Sequence, residues 1–266
     1  MSFSREALIE SRESAWFLIP ERETLLQRLS FLVTDPPRHR ERSLALIGPA
    51  NSGKSRLITQ FMKMHPAVFG EELDLKPILL LRMSPLRNTS QLVDRLLALV
   101  TPVKVSGNED ARTEHLLNLL DVVGTRVIVL DEFHDVLSVG TQTRHHMLTK
   151  IKDLNNAGLR IVPVGTERMV DALSINPEPS TRFTRTKMDA LTFEDSLGVA
   201  LAFFAHLKLE EWTDTYQKAA EMVYVRTSGI IGNQLDVLED VVLQATQSGA
   251  KVTSRLYQDT LERLGF

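Results

Sequence analysis

Gly48-Pro49-Ala50-Asn51-Ser52-Gly53-Lys54-Ser55 is the first stretch whose residue types and spacing could do chemistry. It matches G-x-x-x-x-G-K-[ST], the pattern of a phosphate-binding loop. Its two glycines let the backbone wrap tightly, so that its amides and the start of the following helix point at an anion. Lys54 is placed to reach the β- and γ-phosphates of ATP, and Ser55 to hold Mg2+. Gly48, Pro49, Ala50, Asn51, Ser52, Gly53, Lys54, Ser55 and Arg56 form the expected nucleotide-binding set. A second stretch, Val127-Ile128-Val129-Leu130-Asp131-Glu132, is an apolar run that ends in two carboxylates. Asp131 is placed to reach the same Mg2+, directly or through water, and Glu132 to polarise an attacking water. A kinase acting on a small acceptor has no use for a carboxylate directly after the metal aspartate. The pair therefore points to ATP hydrolysis.

These residues need elements to hold them. Apolar runs at Leu44–Ile47, within Pro77–Arg82, at Val127–Leu130 and at Arg160–Val164 read as strands, with a fifth expected at Lys187–Leu191. Helical patterns fall between them: Lys54 to about Met64, a helix capped by Thr89 or Ser90, Leu116–Val123, and Arg144–Asn156 ended by Gly158. Strands that alternate with helices imply a parallel sheet with right-handed crossovers. Ser4–Val33 reads as helical with an interruption near Pro20, and Pro36-Pro37 breaks the chain. Beyond Leu191 the strand signals fade into helices at Phe193–Leu207, Asp214–Thr227, Gln234–Ser248 and Val252–Leu264. The expected organisation is an N-terminal helical segment (1–35), an α/β ATPase core (36–191) and a small C-terminal helical lid (192–266).

Composition sets outer limits. The chain has 266 residues, 43% hydrophobic and 24% charged, enough to bury a core without staples. It has no cysteine, which excludes disulfides, thiol catalysis and cysteine-bound zinc. The adjacent His145 and His146 point in different directions on a helix and give no metal signal. Runs such as Ile78–Leu81 are too short to span a bilayer, and Met1–Glu10 lacks the apolar segment of a secretion signal, so the expected location is the cytoplasm with no membrane partner. The net charge of −3 hides an asymmetry: residues 191–266 carry 6 basic against 11 acidic side chains, whereas residues 36–63 carry 6 against 1. Any basic surface is therefore local.

An α/β nucleotide core followed by a helical lid is the AAA+ arrangement. Within it the sequence resembles the TniB/TnsC family of transposition ATPases, from about Pro36 to about Gly232. The resemblance rests on Gly48–Ser55, on Asp131-Glu132-Phe133-His134 leading into Ile151–Gly158, on Ile161-Val162-Pro163-Val164-Gly165-Thr166, and on Thr181-Arg182-Phe183. It implies that Thr166 is a sensor of the γ-phosphate or attacking water, the rival reading being a turn-capping threonine. It implies that Arg182, with Arg185 in reserve, is an arginine finger that contacts the nucleotide of a neighbouring subunit, the rival being a solvated arginine. Lids of this class often carry a second sensor arginine after a glycine-rich turn. Here that turn reads Gly229-Ile230-Ile231-Gly232-Asn233-Gln234, and a neutral amide stands near the expected charge, which suggests slow turnover or switch-like use of ATP.

The resemblance further implies ATP-dependent assembly with itself, as rings or filaments, on double-stranded DNA, and partnership with a transposase and a target-selector protein. The expected DNA contacts are Arg82, Arg87, Lys104 and Arg112, with a second basic group at Arg38, Arg40 and Arg42. His134 reads either as a link from the nucleotide site to a partner or as a plain loop histidine. Two other functions fit the same motifs: an AAA+ ATPase that powers a secretion or membrane complex without DNA, and a nucleotide-switch adaptor that hydrolyses little.

Overall fold

The computed structural model describes residues 3–36, 43–71, 73–84, 86–174, 183–249 and 251–266. The basic group at Arg38, Arg40 and Arg42, and the finger candidate Arg182, lie outside these residues. The chain divides into two compact units: residues 24–48 with 54–188, and residues 1–23 with 49–53 and 189–266. The segment expected at 1–35 is thus shared between them, with its division at 23/24.

The larger unit is built on a five-stranded parallel sheet. Its strands are β1 (Ser43–Ile47), β2 (Ile78–Arg82), β3 (Val127–Asp131), β4 (Arg160–Gly165) and β5 (Phe183–Lys187), in the order β2-β3-β4-β1-β5. The three inner strands are buried at every position, which explains their continuous apolar sequence. The helices of the crossovers are α3 (Lys54–Met64), α4 (Thr89–Val100), α5 (Glu109–Val122), α6 (Thr141–Asn156) and α7 (Arg168–Ser174), and they are preceded by α2 (Pro20–Thr34). Proline at the first position of α2 fits a residue with no amide to satisfy. Leu92, Leu96, Leu116, Leu148 and Ile151 join the sheet residues Ile128, Leu130 and Ile161 in one core.

Two local expectations are corrected. The side chain of Asn88, not Thr89 or Ser90, caps α4 by accepting from the amide of Gln91 at 2.9 Å. The fifth strand is Phe183–Lys187, four residues before the expected Lys187–Leu191. It pairs residue for residue with Ser43–Ile47 along one edge of the sheet. The apolar Leu191 that suggested the later position is instead buried in the core of the smaller unit.

Arg160 opens β4 and is buried. Its guanidinium donates to the carbonyls of Leu32 (2.5 Å), Asp35 (3.0 Å) and Pro36 (3.0 Å), fixing the end of α2 and the segment that follows. One planar cation with several donors suits carbonyls that have run out of helix partners.

The smaller unit is helical. It contains α1 (Arg5–Ser14), α8 (Phe193–His206), α9 (Thr213–Thr227), α10 (Ile231–Ser248) and α11 (Ser254–Leu264). Leu8, Phe203, Phe204, Tyr216, Val223, Leu238 and Tyr257 meet in its core. Phe204 and Tyr257 both pack edge-on against Tyr216, with ring centres 5.6 Å apart in each pair. Among the described residues no helix is long and apolar enough to cross a membrane.

Candidate nucleotide site

In a parallel sheet, ligands gather at the carboxyl ends of strands where the strand order reverses. Here the chain leaves β1 and next pairs at β2, on the far side of β4 and β3. Gly48 follows β1 and donates its amide to the carbonyl of Gly165 at 3.1 Å, so that Gly48 and Thr166 emerge side by side. Leu130 pairs with Pro163 in register, which brings Asp131 to the same end of the sheet. The ends of three adjacent strands thus present Gly48, Thr166 and Asp131.

Each side chain has a local reason for its position. Lys54 and Ser55 open α3, and the ammonium of Lys54 donates to the carbonyl of Gly48 at 3.0 Å, folded back toward the loop. Asp131 is 8% exposed, and its Oδ1 accepts the amide of Glu132 at 3.0 Å. Glu132 has φ +53°, in the left-handed region, with its side chain 45% exposed. A glutamate held there is strained, and such strain gathers where a side chain must leave the line of its strand. The turn carries the carboxylate away from buried Asp131 and toward solvent.

His134 is the site residue that sequence reasoning left open. It sits on the short 3-10 helix Phe133–Ser138, with Nδ1 3.4 Å from Oε2 of Glu132. A Cβ on Gly165 would lie 3.3 Å from that same nitrogen, so the ring rests against the end of β4. The carbonyl of Thr166 accepts the amide of Met169 at 2.8 Å and starts α7. The Asp-Glu-Phe-His spacing carried the only signal for this grouping.

The middle of the loop, Pro49–Gly53, groups with the smaller unit. Asn51 (φ +58°) and Gly53 (φ +89°) both take left-handed backbone, which a tight anion loop requires. Ser52 is buried, and its Oγ meets no hydrogen-bond partner. Within that unit the amide of Gly232 donates to the carbonyl of Asn51 at 2.9 Å, and Nδ2 of Asn51 donates to Oδ1 of Asn233 at 3.1 Å.

The donor set fits a magnesium nucleotide. Ser55 supplies a hydroxyl at a helix start and Asp131 a buried carboxylate. Among the described residues no group of three His, Asp or Glu could hold a metal by itself.

Gln234, near the expected sensor arginine, is fully buried. Its Nε2 donates to the carbonyl of Ser196 (2.7 Å) and the hydroxyl of Tyr216 (2.9 Å), and its Oε1 accepts from Oγ of Ser196 (3.0 Å). Its amide is spent on the helical core. Burial pushes the Tyr216 phenol up to about 12, opposed by its contacts with Gln234 and Ser196.

The expected DNA residues lie at the end of β2 and around α4. Arg82 ends β2 and is exposed, as are Arg87 and Lys104 in the loops around α4. Arg112 is engaged: it pairs with Asp94 and donates to Oγ of Ser90 at 2.8 Å, tying α5 to α4. Arg185 lies on β5 at an exposed position.

The profile of the family described as "Bacterial TniB protein" matches residues 8–192. No curated protein matches the chain. Among solved structures it is similar to the ORC2 protein of Aeropyrum pernix in its ADPNP and ADP complexes (16% identity, TM-score 0.62), covering 91% of this chain and 66% of that one. It is similar also to a Walker-type ATPase of Pyrococcus abyssi (16%, TM-score 0.63; 92% and 72% covered). A third is Drosophila ORC bound to DNA (16%, TM-score 0.58; 97% and 69% covered). The chain spans just under two thirds of the length of the Aeropyrum protein. These likenesses place the fold among P-loop ATPases.

Proposed function

The chain belongs to the TniB family, and from that membership we propose that it is an ATP-hydrolysing regulator of DNA transposition. In this reading it assembles with ATP on target duplex DNA, recruits a transposase, answers to a target-selector protein, and comes apart on hydrolysis. The observation that carries it is the Asp131-Glu132 pair: a buried carboxylate and a solvent-facing one at the end of β3, beside the strand ends that bear Gly48 and Thr166.

In this reading each residue has a role. Loop amides of residues 49–53 and the ammonium of Lys54 bind the phosphates, with Lys54 exchanging its contact to Gly48 for phosphate oxygen. Ser55 and Asp131 would hold Mg2+, which supplies charge neutralisation at the phosphates when bound. Glu132 orients the attacking water and accepts its proton. Thr166 offers a hydroxyl to the same water or to the γ-phosphate. Arg182, outside the described residues, takes the finger role that the family implies, offsetting transition-state charge at a neighbouring subunit's nucleotide. Exposed Arg82, Arg87 and Lys104 meet DNA phosphates without reading sequence. Support for a DNA partner comes from the family and from a fold shared with Drosophila ORC bound to DNA.

A second reading, a nucleotide switch that turns over slowly, is favoured by Gln234, whose amide is occupied within the helical core.

Electron microscopy with duplex DNA tests the first reading, comparing ATP plus Mg2+ with ADP. Rings or filaments are expected with ATP and DNA only. Lys54→Ala abolishes assembly, and Glu132→Gln permits assembly but blocks disassembly. Normal disassembly by Glu132→Gln would sink the assignment of Glu132; ATP binding without DNA-dependent assembly would favour the adaptor.

A further inference from the structure

The start of α10 is an end without a cap of its own. Ile230 stands at its N-cap position and offers no side-chain hydrogen bond. A helix start carries four amides with no partner inside the helix, and a buried one must find a partner elsewhere. Gly232 is buried, and its amide is satisfied by the carbonyl of Asn51 at 2.9 Å. Asn233 adds a second link by accepting from Nδ2 of Asn51 at 3.1 Å. The approach needs glycine: a Cβ at position 232 would lie 2.5 Å from the carbonyl oxygen of Asn51 and 2.8 Å from its Cβ. Asn51 in turn holds left-handed backbone, which asparagine tolerates better than most residues. The phosphate loop therefore caps the helix, and the helix holds the loop.

Arg12 of α1 grips the same helix start from another side. It donates to Oδ1 of Asp236 at 2.6 Å, to Oε2 of Glu239 at 3.3 Å and to the carbonyl of Gly232 at 3.4 Å.

We propose that Gly232 and Asn233 are positioning residues for the phosphate loop, that they couple nucleotide binding to the start of α10 through Asn51, and that Arg12 lets α1 bias this coupling. The device replaces a charged lid sensor: it reads the backbone of the loop, and Gln234 is free to serve the core. By reciprocity, whatever nucleotide does to the α10 start, a change at α1 or α10 does to nucleotide affinity. The inference rests on the nucleotide-binding reading above.

The test combines titration of a fluorescent ADP analogue with amide hydrogen exchange of the full chain. In the unaltered protein, ADP slows exchange in the peptide that spans residues 230–236. Asn233→Ala lowers affinity by a few-fold and Gly232→Ala by about tenfold, the ordinary range of coupling between sites; both lose the protection at 230–236 while keeping helical circular dichroism. Arg12→Ala, remote in sequence from the loop, shifts affinity by about two- to threefold. Should Gly232→Ala fail to fold, Asn233→Ala and Arg12→Ala decide the matter. Unchanged affinity and unchanged protection in these variants would overturn the coupling, with nucleotide binding intact. Absence of nucleotide binding by the unaltered chain would instead overturn the functional reading, with Lys54→Ala as the reference for a dead loop.

Discussion

Nδ1 of His134 stands 3.4 Å from Oε2 of Glu132, and the same nitrogen faces Gly165 at the end of β4. The imidazole stands beside a carboxylate that is nearly half exposed on strained backbone, with no hydrogen bond between them, and we expect it to act as a lateral support. Truncation to His134→Ala removes that support without touching the phosphate loop. The expected result is a fall in ATP turnover of about tenfold with KM unchanged, since small misplacements of a reacting group cost that much or more. A matching rise in KM would place His134 in binding instead.

Gln234 carries the next prediction. Installing the charge that lids of this class often use, by Gln234→Arg, buries a guanidinium where an amide satisfied Ser196 and Tyr216. The variant is expected to lose about 2–4 kcal/mol of stability with no gain in turnover. Faster hydrolysis at undiminished stability would mean that the position is a vacant sensor.

Arg160 is a stability residue. Arg160→Met leaves the carbonyls of Leu32, Asp35 and Pro36 without their donor. A loss of about 2–4 kcal/mol is expected by urea unfolding, and Arg160→Lys recovers only part because an ammonium lacks the planar fork. No loss in Arg160→Met would show that water serves these carbonyls equally well.

The tyrosine core sets an alkaline limit. Burial raises the phenols of Tyr216, to about 12, and of Tyr257, the latter further through the proximity of Tyr216. Both keep their protons longer when folded than when unfolded. Their contribution is therefore complete below the unfolded value near 10 and is lost as pH rises toward 12 and beyond. Melting temperature should fall across that window. Tyr216→Phe should flatten the fall, and a fall as steep as before would locate the alkaline weakness elsewhere.

Much of the site was legible because its signals are local. The loop, the Asp131-Glu132 ending and the inner strands declare themselves within a few residues each. β5 did not: Phe183–Lys187 is half exposed along the sheet edge, so its polar alternation lacks the apolar run that marked β1 and β3. Asn88 outcompeted Thr89 as a cap because the helix begins at Thr89, three residues before its first apolar residue, Leu92. The strand order and the meeting of Asn51 with Gly232 join residues far apart in the chain, and no window of sequence contains both. Gln234 was legible as a departure from a charged pattern, but not as a core hydrogen-bonding residue.

The division of the chain has a consequence for its birth on the ribosome. Apart from residues 49–53, the larger unit is one interior stretch that ends at Met188, whereas the smaller unit takes its helices from both ends. The partner of Arg12 at Asp236 is made 224 residues later, roughly 10–45 s at ordinary translation speed. The sheet can close while α1, with Leu8 bare, still waits for α10 and α11 to emerge. A helix made before the sheet is thus buried only after it, and a nascent chain in that interval is the form that chaperones and proteases would meet.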